Sequence, residues 1–289
     1  MFVDEFVEKI EAELGGVVEV TDIGGGDISK AAKIVTKQGC FFVKWNDKKL
    51  PGLFTGEAVG LRLLARAKEI RVPEVMLVDD DFLVLEWMDL AQSEKRKTKS
   101  LEQMGRGLAK LHRNTGEMFG LEGNNFIGSL PQKNDQKDSW VEFYWECRLE
   151  PQLEILRYRN RDSEESVKKL RKLFYKLKEK LPDLVPDKVE ASLLHGDLWG
   201  GNWGVLEKGE PVVFDPAVYC GHREMDMAMS ELFGGFGKDF YESYQSEWPL
   251  ESGYEERKEL YQLYPLMVHL NLFGGEYIRQ VSKIVQKYC

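Results

Sequence analysis

Between Val17 and Glu86 the sequence crowds five short strand-like runs around one helix-like run, and after Met88 the pattern turns helical. The strand runs are 17–23, 33–37, 40–45, 75–78 and 82–86, punctuated by Gly, Asp and Asn as strands usually are. A helix is expected over 4–14. Another is expected over 57–68, where Leu61, Leu64 and Ala65 share one face and Glu57 stands at the start. Further on, Leu101, Met104, Leu108 and Leu111 recur at helical spacing. Ser100 and Gln103 read as their capping box and Gly116 as their end. Val167, Leu170, Phe174, Leu177 and Leu181 form a second apolar stripe, which Pro182 should stop. Both stripes read as core. Strands first and helices afterwards make an α+β chain rather than a series of βαβ units.

The 289 residues suffice for one large or two modest domains, with no internal repeat or low-complexity linker between them. A net charge of -9 argues against a nucleic-acid partner, whose backbone needs a basic surface. Cys40, Cys147, Cys220 and Cys289 are widely spaced and form no C-x-x-C pair. Neither a zinc site nor a disulfide framework is expected, and a reducing cytoplasm fits. No run of 18 apolar residues offers a membrane span. The acidic, amphipathic start MFVDEFVEKIEAEL lacks the regions of a signal peptide. Nothing in the chain fixes an oligomeric state.

Three features before residue 60 fall in a telling order. Gly24-Gly25-Gly26-Asp27-Ile28-Ser29-Lys30 lies between two strand runs. Glycines let a backbone approach a phosphate closely and aim its N–H groups there. Taken alone, a plain hairpin turn is the better account. The run is no Walker A loop, and a strand rather than a helix follows it. Lys44, in Phe41-Phe42-Val43-Lys44-Trp45, points opposite to Val43 and Trp45 in a strand, and taken alone it is a solvated edge lysine. Glu57 follows 13 residues later, and taken alone it is a carboxylate at a helix N-terminus. Together they match the arrangement in which a Lys, fixed by a Glu, holds nucleotide phosphates.

The stretch LLHGDLWGGNW (193–203) completes the set. Asp197 sits in a loop, Asn202 comes five residues on, and Asp215 ends the apolar run 211–214. Two of these oxygen-bearing side chains suit magnesium, which keeps its other positions for water and phosphate. The remaining Asp can take a proton from a hydroxyl attacking phosphorus. Turn formation is the plain account of such residues, and the ordered trio upstream outweighs it.

The segments GGGDISKA (24–31), FFVKWN (41–46), GEAVGLRLL (56–64), LHRNTGEMFGLEGNNFIGSLPQKN (111–134), RLEPQL (148–153), HGDLWGGN (195–202), FDPAVYCGHRE (214–224) and DMAMSELFGGF (226–236) resemble the fructosamine kinase (ketosamine-3-kinase) family of kinase-like phosphotransferases. The likeness runs over nearly the whole chain. Its most specific part is HGDLW-x-GN with GHRE and ELFGGF. A generic small-molecule kinase would share only the two Asp and the Asn.

The resemblance implies a protein-kinase-like, two-lobed fold. Residues 1–88 would be a nucleotide-binding lobe built on a five-stranded antiparallel sheet, and 89–289 a mainly helical catalytic and substrate lobe. It implies ATP and Mg2+, and phosphorylation of the 3-hydroxyl of ketosamines, free or on protein lysines, as a deglycation repair. By matching position, Asp197 is the catalytic base, Asn202 and Asp215 bind magnesium, and Lys44 with Glu57 reaches the ATP phosphates. Gly25 and Gly26 cover the phosphates, and the backbone of Glu86, Trp87 and Met88 binds adenine. Trp199 packs against the sugar or its amine, with simple packing under the loop an equal alternative. His195, His222 and Asp226 brace the catalytic loop.

Two departures stand out. Ser29 replaces the third glycine of a protein-kinase loop, and the redox cysteine of some members falls on Asp27, so no loop disulfide is expected. Only 10 residues separate Asp215 from Asp226. That is too short for an activation loop, and a constitutively assembled site is expected. The rival readings are another small-molecule kinase of this fold, for aminoglycosides, choline or homoserine, and a non-catalytic nucleotide-binding pseudokinase.

Overall fold

The strand runs close into one antiparallel sheet whose faces are covered by different helices. A computed structural model describes residues 4–24, 28–91, 94–159, 164–186 and 188–289. It begins with α1 (Asp4–Leu14), β1 (Val17–Ile23), β2 (Lys30–Thr36), β3 (Gly39–Trp45), α2 (Leu53–Ala67), β4 (Val75–Val78) and β5 (Phe82–Glu86). The strands lie in the order β1-β2-β3-β5-β4. Alternation along β3 sends Phe41, Val43 and Trp45 to one face, where Phe6, Ile10 and Leu14 of α1 bury them. Phe42 and Lys44 face α2 instead, whose Leu53, Phe54, Ala58, Leu61 and Leu64 are buried.

The remainder runs α3 (Glu94–His112), β6 (Thr115–Gly116), β7 (Asn125–Ile127), β8 (Leu130–Gln132) and α4 (Trp140–Phe143), then a π-helical turn (Tyr144–Leu149) into α5 (Glu150–Arg159) and α6 (Glu164–Leu184). After these come β9 (Ala191–Leu194), β10 (Trp203–Val205), β11 (Pro211–Val213), β12 (Tyr219–Gly221), α7 (Glu224–Leu232), α8 (Lys238–Glu247), α9 (Tyr254–Phe273) and α10 (Tyr277–Tyr288). A small sheet in the order β12-β9-β6 and the β10-β11 hairpin carry the loops of interest. Leu170, Phe174, Leu177 and Leu181 of α6 join one large core with residues of α4, α9 and α10. A second core runs from α2 and β5 through Leu101, Met104 and Leu108 of α3 to Phe240 and Tyr244 of α8. It ties the strand-rich part to the helices.

Four local expectations need correction. α2 starts at Leu53, behind Gly52 with φ 87°, so Glu57 lies one turn inside the helix rather than at its end. α3 starts at Glu94, because the charged run 94–99 shows no apolar period to betray it. Ser100 therefore caps nothing, and its hydroxyl donates to the Gly209 carbonyl at 2.7 Å. α3 ends at His112, and Gly116 belongs to β6. Pro182 sits inside the last turn of α6, where its missing N–H costs a single bond before the helix finishes at Leu184.

Candidate active site

Lys44 is the meeting point. Its ammonium lies 2.6 Å from Glu57 Oε2 and 2.8 Å from Asp215 Oδ1. Burial works against its charge, but Asp215 and Glu57 together raise its pKa well above the usual lysine range. The two carboxylates differ. Burial pushes Glu57 up to about 7, with Lys44 pulling it back. Asp215 is half exposed; the surrounding protein pushes it up, but Lys44 more than offsets this and holds it below the ordinary carboxylate value. Asp215 is thus the main bearer of negative charge. Glu57 Oε1 is buried and meets no hydrogen-bond partner among the described residues.

The backbone that presents Asp215 is specialised. Asp215 takes φ 56°, a left-handed conformation that Asp tolerates better than most residues. Just before it, the Phe214 N–H donates to the Asn202 carbonyl at 3.1 Å. Just after it, the Ala217 N–H donates to the His195 carbonyl at 2.9 Å. Gly196 has φ 83°, and a Cβ there would lie 2.0 Å from the Ala217 carbonyl oxygen, so the loop closes only with glycine. Between Asp215 and Asp226 the chain forms β12 and is buried apart from the half-buried Cys220.

Asp197 follows β9 in the same loop. The Asn202 amide donates both to its carbonyl oxygen, at 2.9 Å, and to Oδ2, at 3.0 Å. Burial pushes Asp197 up to about 7; Asn202 pulls it down, while Asp215 and Asp226 push it further up. His195 is fully buried and points inward. Its Nδ1 accepts from the Asp197 N–H at 3.3 Å and its Nε2 donates to the Phe214 carbonyl at 3.1 Å. Burial lowers its pKa, so the ring stays neutral. Asp226 accepts the His195 N–H at 2.7 Å and the Gly196 N–H at 2.9 Å.

Sequence reasoning missed one member of this set. His112, the last residue of α3, is fully buried and places Nε2 3.2 Å from Asp226 Oδ2 and Nδ1 2.8 Å from the Tyr244 hydroxyl. Only its place in the LHRN run hinted at it. His222 behaves otherwise than expected, and its Nδ1 meets the Tyr261 hydroxyl at 2.7 Å, away from the 195–202 loop. The strand pairing explains this. Tyr219 pairs with Leu194 beside the loop, whereas Gly221 pairs with Ser192 and carries His222 off.

Trp199 is exposed, folds over Gly201 and meets Phe233 edge-on at 6.2 Å. Glu86 ends β5 and Trp87 and Met88 follow it, each half-buried. The Glu86 carboxylate is taken by Arg71 at 2.5 Å, and the Trp87 indole donates to Asp89 at 2.8 Å. What this segment has left to offer a ligand is chiefly backbone. Gly25 and Gly26 lie outside the described residues; the strands on either side pair Ile23 with Ala31.

Asp197, Asn202 and Asp215 present only oxygen donors, the ligand type of magnesium. No cluster of three or more His, Cys, Asp or Glu fit to hold a metal occurs among the described residues.

A five-stranded antiparallel sheet whose Lys44 pairs with Glu57 of α2, set against a helical body bearing Asp197, Asn202 and Asp215, defines an ATP-dependent phosphotransferase of protein-kinase-like fold. The chain matches the model of the fructosamine kinase family over residues 3–289, and it belongs to that family. It is 38% identical over 279 residues to a probable ketoamine kinase of Synechocystis sp., covering 94% of this chain and 90% of the relative. It is 36% identical to a chloroplastic protein-ribulosamine 3-kinase of Arabidopsis thaliana, covering 96% of this chain and 85% of the plant protein. A crystal structure from Thermobifida fusca, assigned to the fructosamine-3-kinases, superposes with TM-score 0.87 at 32% identity, covering 99% of each chain.

Proposed function

We propose that the protein transfers the γ-phosphoryl group of ATP to the 3-hydroxyl of ketosamines, including ribulosamine and fructosamine adducts of protein lysines. The observation that carries the reading is the convergence of Asp197, Asn202, Asp215 and Lys44 in a chain whose relatives bear ketoamine and ribulosamine kinase names. Residues 1–88 serve as the nucleotide lobe, with the backbone of Glu86, Trp87 and Met88 against adenine and Gly25 and Gly26 over the phosphates. Residues 89–289 carry the base and the substrate.

Lys44 supplies a fixed cation for phosphate oxygens, and Glu57 keeps it aimed. Asn202 and Asp215 would hold Mg2+, which when bound offsets charge on the phosphates. Asp197 orients the acceptor hydroxyl through one carboxylate oxygen and takes its proton during attack, while Asn202 fixes the carboxylate plane. His195 and Asp226 hold the loop. Trp199 lies against the sugar or its amine. No described helix is long and apolar enough to cross a membrane. The free cysteines support a cytoplasmic setting.

The test is ATP turnover with ribulose-lysine, fructose-lysine, kanamycin, choline and no acceptor. Turnover confined to the ketosamines is expected, and Asp197→Asn should lower it by roughly 10²–10⁴-fold while the protein stays folded. Turnover of kanamycin or choline instead would discard the substrate. ATP binding without turnover would make the protein a pseudokinase.

A further inference from the structure

Three buried amides crowd the β7-β8 hairpin. Asn125 and Gln132 lie on its two strands and Asn134 just beyond, each no more than 5% exposed. A buried amide is costly unless its polar atoms find partners. Here they find one another. Asn125 Oδ1 accepts from Gln132 Nε2 at 2.9 Å and from Asn134 Nδ2 at 2.8 Å. Gln132 Oε1 accepts the Tyr264 hydroxyl of α9 at 2.8 Å, and Asn134 Oδ1 accepts Arg148 Nη2 at 2.9 Å.

The network ends on the segment that follows Asp215. Asn125 Nδ2 donates to the Val218 carbonyl at 2.9 Å, and Gln132 Nε2 donates to the Ala217 carbonyl at 3.0 Å. Both carbonyls precede β12, whose pairing begins at Tyr219. Ala217 is pinned from two sides, because its N–H donates to the His195 carbonyl of the catalytic loop. Asn125 has one workable orientation. Turned over, its NH2 would face two other NH2 groups and its oxygen would face the Val218 carbonyl. A fully satisfied amide network of this kind is rigid, and it fixes the backbone on which it ends.

The hairpin also packs against α2. A Cβ on Gly56 would lie 3.1 Å from Asn125 Cβ, and one on Gly60 would lie 3.0 Å from Val218 Cγ2 and 3.6 Å from Pro216 Cγ. Gly56 directly precedes Glu57, and Gly60 lies one turn further on. The helix that carries the partner of Lys44 therefore rests on both the hairpin and the turn after Asp215. Asp215 itself is half exposed and takes φ 56°, a conformation that persists only where the surroundings impose it.

We infer that Asn125 and Gln132 are positioning residues for phosphoryl transfer: through the Val218 and Ala217 carbonyls they fix the turn that presents Asp215 to Lys44 and to Mg2+. The inference rests on the reading of Asp215 as a Mg2+ ligand and adds what holds that ligand in place. Groups that orient a metal ligand from behind commonly govern metal affinity by roughly 10–100-fold.

The test is the affinity for ADP with and without Mg2+, by isothermal titration calorimetry, in the wild-type protein, Gln132→Met and Asn125→Ala. Gln132→Met keeps the length of the side chain and removes its donors. Asn125→Ala removes the second donor independently and supplies the reading if Gln132→Met does not fold. The factor by which Mg2+ tightens ADP binding should fall roughly tenfold or more in each variant, while metal-free ADP binds as in the wild type. Amides that merely fill the core would lower the melting temperature and leave that factor alone. This result in the variants overturns the inference and leaves Asp215 as the metal ligand. A wild-type protein whose ADP affinity ignores Mg2+ overturns both.

Discussion

Asp197 is a half-buried carboxyl, and its setting has a measurable cost. Burial pushes it up to about 7, against an ordinary aspartate near 3.9. Its folded-state pKa is the higher one, so the folded protein binds this proton more tightly than the unfolded chain. The resulting stabilisation is complete below about pH 4 and is lost as pH rises through about 7. Without nucleotide or metal, Asp197→Asn should therefore melt a few degrees above wild type at pH 8, with the gain shrinking by pH 5 and gone only below about pH 4. Thermal melts at the two pH values decide it, and an equal shift at both would refute the buried-carboxyl account. The meetings of Lys44 with Glu57 and of Asp197 with Asn202 were legible in the sequence from residue type and order. His112 was not, since its meaning comes from contact with a residue 114 positions away. His222 was misplaced because only strand register tells which side of the small sheet a residue leaves from.

At the scale of elements, the Asp226 carboxylate of α7 holds the backbone of the loop after β9. Asp226 accepts two backbone N–H groups with two different oxygens. Asparagine has one acceptor oxygen, so Asp226→Asn leaves a buried N–H facing an NH2 group. The expected cost is about 1–3 kcal/mol of stability. The effect on kcat should exceed that on KM for ATP, because the displaced loop carries Asp197 and not Lys44. Urea melts with steady-state kinetics check both, and a rise in KM for ATP with kcat intact would contradict this picture. Elements were read well where an apolar period marks them, as in α1, β1, β4 and β5. They were read late where charge or a tight turn hides the first turn, as in α3 and α2. Helix entry there depends on Gly52 and on packing with distant partners, which local pattern does not record.

Across the whole molecule, Lys44 and Asp215 join the sheet to the helical body over 171 positions of sequence. A nucleotide held at this junction stabilises both parts at once. At a hundred times its Kd, a ligand specific to the folded state adds about 2.7 kcal/mol. Mg-ATP should therefore raise the melting temperature of the wild type clearly. Lys44→Met should lose most of that rise even where its own melt, without nucleotide, remains cooperative. Differential scanning fluorimetry across nucleotide concentrations checks this, and a full shift in the variant would remove Lys44 from the nucleotide site. The two-part architecture was foreseeable from the segregation of strands and helices. The core shared by α2, β5, α3 and α8 was not, because it assembles residues from both halves of the chain.

The stretch from Asp215 to Asp226 is folded into β12 and the core rather than looping free. A modifying enzyme would have to unfold the small sheet to reach most of its side chains. This stretch therefore offers no switch of its own, and any control over the output has to enter elsewhere in the molecule.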